Sequence, residues 1–142
     1  MKRPVLSLAL SLAATLFTGC ASLSPNQRAE YAVMKQNGVL IEEKNPRVAA
    51  ALGLLPGCGS FYTRQWGLGA CDLIVWPASI FWDPFSGYGG AQVLNYEATR
   101  AHLNHLKAKE TAQLDRQLAG NEITSAEYIV RKNEVDSRYK FE

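Results

Sequence analysis

The chain is poor in the residues that usually carry catalysis. It has two histidines and three cysteines in 142 residues. The cysteines stand at 20, 58 and 71, so there is no Cys-x-x-Cys pair, and no cysteine has a partnered histidine. No Ser-His-Asp order stands out, and neither histidine sits in a glycine-rich or apolar context that would read as an active site. The glycines of "WGLG" are not followed by Gly-Lys-Ser/Thr and no strand precedes them, which excludes a phosphate loop. Also missing are an apolar run of the about 20 residues that a stable membrane helix needs, any long-range repeat, and any low-complexity tract. The length suits one small domain.

Charge is absent from one further place, the stretch Pro4 to Phe17, which is dominated by Leu, Ala and Val. Lys2 and Arg3 precede it, and Thr18 and Gly19 follow it before Cys20. A basic start, an apolar stretch of about 7–15 residues and a small-residue exit are the parts of an export signal. Removing Lys2 and Arg3 with that signal leaves 13 basic against 13 acidic residues, so the formal charge of +2 belongs to the leader. No basic cluster remains to bind nucleic acid.

The end of the run, Leu16-Phe17-Thr18-Gly19-Cys20, resembles the lipobox of bacterial lipoproteins, with Phe17 in place of the usual leucine. The resemblance implies cleavage between Gly19 and Cys20, lipidation of Cys20, and anchoring to membrane lipid through that acylated residue. One acyl chain binds a membrane only marginally, at about 0.8 kcal/mol per buried CH₂; lipoproteins of this type carry three. By the family's sorting rule Ala21, not being aspartate, points to the outer membrane rather than the inner, with the protein facing the periplasm.

After a short tether, Ser24-Pro25 supplies a helix cap followed by proline at the first helical position, and Asn26 to Gln36 reads as a modest helix stopped at Gly38. "GVLIEE", 38–43, is strand-like but too short and isolated to make a sheet. Asn45-Pro46 repeats the cap-then-proline signal ahead of two apolar segments, Val48 to Tyr62 and Trp66 to Trp82, joined by the polar "TRQ". This is the pattern of a helical hairpin that either forms a small buried core or enters a membrane. Small residues such as Gly53, Gly57, Gly67 and Gly69 suit close helix packing. The aromatic residues Trp66, Trp76, Phe81, Trp82, Phe85 and Tyr88 suit either an interfacial belt or a hydrophobic core.

The pieces "GLLPGCGSFYTRQWGLGACD" and "IFWDPF" resemble the two-transmembrane (TM-two type) hairpin family over roughly Ala49 to Tyr88. The resemblance implies an architecture rather than a reaction. Phe61, Tyr62, Arg64, Trp66, Asp72, Trp82 and Asp83 become its turn and interface residues. Asp72 and Pro77 depart from the family's pattern and argue against full spanning, because an aspartate at bilayer depth costs several kcal/mol unless paired or neutralised.

"DPFSGYGG", 83–90, reads as a breaker. Beyond it a polar helix is expected from Ala91 to Ala119, with leucines 94, 103, 106, 114 and 118 recurring at roughly helical spacing. Gly120-Asn121 ends it. Thr124 with Glu127 forms a capping box for a last helix to about Tyr139, whose apolar face is Ile129, Val130, Val135 and Tyr139. Leu114, Leu118, Gly120, Ile123, Thr124, Glu127 and Tyr128 resemble the short C-terminal helical hairpins that follow membrane segments in many bacterial proteins. That resemblance implies self-association or a protein partner.

Three groupings remain. Cys58 and Cys71 lie equally far from the hairpin centre, and an exported chain meets an oxidising compartment, so a disulfide is permitted; two buried free thiols fit the sequence equally. His102 and His105 stand at i,i+3 without further ligands, as solvent-exposed residues would. Asp83 reads as a cap or turn residue, and Asp72 as facing Arg64, a helix end or water.

The expected chain is therefore mainly α: a cleaved signal peptide (1–19), a lipidated N-terminus with tether and short helix (20–45), an apolar helical hairpin (46–90), then a long polar helix and a short C-terminal helix (91–142). The expected role is that of a lipid-anchored envelope protein with a structural or interaction function and no enzyme activity, cofactor, metal or nucleic-acid partner. The alternatives are a small envelope hydrolase or thiol-active enzyme using Cys58, Cys71 or Asp72, and a prophage-type lipoprotein that modifies the envelope.

Overall fold

A computed structural model describes residues 22–141, all of whose regular structure is helical. The export signal, Gly19 and Cys20 lie outside the described residues. The elements are α1 (Pro25–Gln36), α2 (Pro46–Leu52), α3 (Cys58–Tyr62), α4 (Trp66–Ile74), a 3₁₀ turn (Ala78–Phe81), α5 (Asp83–Ala119) and α6 (Ser125–Arg138). They fall into two units. One comprises Glu42–Leu94 with the described end of Met1–Leu23; the other comprises Ser24–Ile41 and Asn95–Glu142.

Local chemistry sets several helix ends where the sequence predicts them. Ser24 Oγ accepts from the Gln27 amide while the Gln27 side chain accepts from the Ser24 amide, and Gly38, at φ 69°, stops α1. Asn45 Oδ1 accepts from the amides of Arg47 and Val48 at the start of α2. Thr124 and Glu127 exchange the same pair of bonds at α6, and the Thr124 amide and hydroxyl, both donating to the Glu127 carboxylate, hold it below its ordinary range. Each such cap satisfies amides that the first helical turn leaves open.

In the second unit α1 buries Tyr31 and Met34, while α5 and α6 bury Leu103, Leu114 and Val135. Tyr96 donates to Glu30 at 2.8 Å, and the Ile41 amide donates to Thr99 Oγ1 at 2.9 Å. Glu110 accepts from both Arg138 (3.0 Å) and Tyr139 (2.7 Å), and Lys107 pairs with Asp136. The expected apolar face of α6 is only half formed. Val135 is buried, but Ile129 and Val130 are more than half exposed.

Two expectations in the first unit are corrected. The apolar hairpin is not two helices. Val48–Tyr62 yields α2 and α3 around a Gly53–Gly57 link, and Trp66–Trp82 yields α4 and a 3₁₀ turn around Val75–Pro77. Proline and glycine each cut an apolar segment that hydropathy alone reads as continuous. Conversely, "DPFSGYGG" is no breaker: α5 begins at Asp83 and runs 37 residues without interruption. Proline is tolerated in a first helical turn. Glycine costs a helix up to about 1 kcal/mol, but here it allows close approach: a Cβ on Gly87 would lie 2.8 Å from the Ala49 carbonyl oxygen and 3.2 Å from the Gly59 Cα.

Candidate functional site

The first unit is built with its polar groups inside. Ser60, Thr63, Asp72, Ser79, Asp83 and Ser86 are buried, and among the described residues the buried hydrophobic side chains accompanying them are Leu23, Ala49 and Ala91. The large apolar residues lie outside: Leu54 is 59% exposed, Trp66 67%, Ile74 83%, Phe81 81% and Phe85 78%. In water this arrangement is costly, since burying such a side chain is worth roughly 1.5–3 kcal/mol. A contiguous apolar surface beyond a few hundred Å² marks an interaction or membrane site.

At the centre of the polar interior, three helices bring together residues far apart in sequence. Ser60 from α3 places its Oγ 2.6 Å from Asp83 Oδ1 and 3.1 Å from Asp72 Oδ2. The Ser60 amide also donates to Asp83 Oδ1 at 3.1 Å. Trp82 Nε1 donates to Asp72 Oδ1 at 2.7 Å. Both carboxyls are sealed, at 1% and 0% exposure, and Asp83 Oδ2 has no hydrogen-bond partner. A hydroxyl carries one proton and can donate to one carboxylate only. Contact with both carboxyls therefore calls for a proton on one of them, donated back to Ser60 Oγ. Burial lifts the Asp83 carboxyl above the ordinary aspartate range; the Ser60 hydroxyl opposes this, and the charge and contact of Asp72 reinforce it.

A pH dependence follows. A carboxyl whose folded value is raised favours the folded state while it is protonated, so its contribution is complete below the ordinary aspartate pKa of about 3.9. That contribution is lost as pH rises through the higher folded value. Urea titrations read by tryptophan fluorescence should show the unit losing stability as pH climbs through that window, then levelling off. Asp83→Asn keeps the shape without the ionisation and should flatten the profile.

Asp72, Trp82 and Asp83 thus share one node, joined by Ser60, which sequence reasoning passed over. Only its place in an apolar Gly-Cys-Gly-Ser run, where a hydroxyl needs a partner, could have drawn attention to it. Asp72 does not face Arg64. Arg64 instead takes a left-handed φ of 63° and pairs with Glu43. Tyr62 joins that polar end, its hydroxyl accepting from the Asn45 amide at 3.3 Å and its ring lying 4.5 Å beneath Lys44 Nζ. Phe61 stacks at a tilt on Trp66, with ring centroids 5.7 Å apart.

The permitted disulfide is not formed, as Cys58 and Cys71 are free thiols. Asp72 and Gly69 take the inward face of α4, and Cys71, one residue before Asp72, points out and is exposed. His102 and His105 are exposed on α5. Among the described residues no group of three or more His, Cys, Asp or Glu is placed to hold a metal ion, and no helix is long and apolar enough to cross a membrane.

No family model matches the chain, and neither a curated protein nor a solved structure matches it. The geometry of the chain itself carries the functional argument.

Proposed function

We propose that the chain is a lipid-anchored protein of the bacterial cell envelope, held through acylated Cys20 and facing the periplasm, with outer-membrane sorting favoured by Ala21. Its role is structural or interactive rather than catalytic. The observation that carries the reading is the inverted first unit, with carboxyls inside and leucine, isoleucine, phenylalanine and tryptophan outside. Such an exterior suits a chain that works against a membrane. The "LFTGC" motif supplies the means of reaching one. Against catalysis stands the sealing of Asp72 and Asp83, which a solute meets only if the unit opens. Ile129 and Val130, exposed beside Asn133, Glu134, Ser137 and Arg138, suit association through the C-terminal helices with a partner or a second copy.

Mass spectrometry of the chain extracted from membranes tests the reading. The expected N-terminus is Cys20 carrying a diacylglyceryl thioether and an amide-linked acyl chain. Cys20→Ala should give an unacylated product that keeps its leader. An unmodified N-terminus at another residue would remove the anchor.

A further inference from the structure

We propose that Glu42–Leu94 seats its uncharged exterior in a single leaflet of a lipid bilayer, with Ser60, Asp72 and Asp83 enclosed and Glu43, Lys44 and Arg64 at headgroup level. The inference rests on the reading of this unit as membrane-facing. It goes further by fixing the depth and the partner, which is the acyl region of lipids.

Charge is the first argument. From Val48 to Tyr96 the sequence holds three charged residues, Arg64, Asp72 and Asp83. The two aspartates are enclosed, and Arg64 is paired with Glu43 at the polar end. The exterior made by this stretch therefore offers nothing charged to hydrocarbon except at that end. There Glu42, Lys44 and Arg47 join the Arg64–Glu43 pair, leaving one net positive charge for anionic headgroups. Enclosure also keeps both carboxyls out of contact with hydrocarbon, with Ser60 and Trp82 as their hydrogen-bond donors.

The source of the exposed side chains is the second argument. Leu54 comes from the α2–α3 link, Trp66 and Ile74 from α4, Phe81 from the 3₁₀ turn and Phe85 from α5. Every element of the unit except α3 contributes such a side chain, Val48 doing so for α2, so the apolar exterior is not confined to one element. An acyl-chain solvent wets such an exterior completely, whereas a protein partner covers one side of it.

Length sets the depth. At 1.5 Å per residue, α4 with its nine residues spans about 13 Å, against about 30 Å for a hydrocarbon core. The other helical pieces that lie wholly within this unit are shorter still. These elements reach into one leaflet and do not cross to the other.

All three tryptophans, Trp66, Trp76 and Trp82, lie in this unit, so selectively excited tryptophan fluorescence reports on it alone. The test places the purified full chain with vesicles of phosphatidylethanolamine and phosphatidylglycerol containing phosphatidylcholine brominated at defined acyl positions. Flotation is read in the same samples. The expected result is quenching that is strongest from bromines in the upper and middle acyl positions and weaker from those near the bilayer centre. Ile74→Asp with Phe81→Asp, both at exposed positions, should lose that quenching while the far-ultraviolet spectrum is unchanged. Flotation without quenching overturns the leaflet seat and leaves the anchoring reading standing; failure to float overturns both. Strongest quenching from the bilayer centre, quenching unaltered in the double variant, or concentration-dependent self-association in place of quenching each overturns the inference.

Discussion

Gly57→Ala should strongly destabilise the Glu42–Leu94 unit. Gly57 stands at φ 70°, and a Cβ there would overlap the carbonyl oxygen of Gly69 and press on the Phe61 ring. A left-handed conformation costs an L-residue roughly 1–2 kcal/mol. Overpacking against a backbone atom, which cannot rotate away, adds typically about 1–3 kcal/mol. The combined loss is about 2–5 kcal/mol, a large share of the about 5–15 kcal/mol that holds a typical domain. Gly67→Ala is the matched control: a Cβ there meets nothing within 4 Å, and alanine favours a helix. Denaturant titrations followed by tryptophan fluorescence should show a marked fall in midpoint for the first variant and none for the second. Equal midpoints would mean that the α3–α4 contact at Gly57 and Gly69 is not close.

Ser60→Ala should be the most damaging change at the polar node. It removes the hydroxyl that lies against both carboxyls and leaves Trp82 as a donor to Asp72 and the Ser60 amide as a donor to Asp83. Each buried polar group left without its partner costs about 1–3 kcal/mol, and more if charged. The Ser60 hydroxyl opposes the upward push on Asp83, so its loss lifts that carboxyl further. The loss of stability with rising pH should then extend to higher pH than in the unaltered chain. Ser60→Thr keeps a hydroxyl and should retain most of the stability. A Ser60→Ala chain with unchanged stability and an unchanged pH profile would show that the proton shared at this node does not depend on Ser60.

The Gly57–Gly69 and Ser60–carboxyl contacts join partners 12 to 23 positions apart in the chain. They could not be read from local pattern. The glycines were legible as small residues suited to close packing, but which backbone each one meets was not. Asp72 and Asp83 were legible as oddities among apolar neighbours. Sequence proximity favours Arg64, a helix end or water as the partner of Asp72. The α3 and α4 backbones instead carry Ser60 to it and leave Arg64 to Glu43. The start of α5 at Asp83, ahead of the glycines, departs from the sequence expectation for a related reason. Proline and glycine break helices on average, yet proline is harmless in a first turn and Gly87 admits the close approach of the Ala49 carbonyl.

What the sequence by itself determined is local: the caps at Ser24, Asn45 and Thr124, the stop at Gly38, the helical character of the chain, and the separation of apolar from polar segments. Each depends on residues within a few positions of one another, where propensity and hydrogen-bond reach decide the outcome. Hydropathy counts apolar residues without saying which way they face. The tertiary structure alone decided that the small and polar groups of Glu42–Leu94 meet at its centre and its large apolar groups remain outside. The physical reason lies in the backbones. Glycines let the short helices approach so closely that the fully buried positions from 42 to 94 hold only glycine, alanine, serine, threonine and aspartate, while large side chains are half-buried, as Phe61 and Trp82 are, or left at the surface.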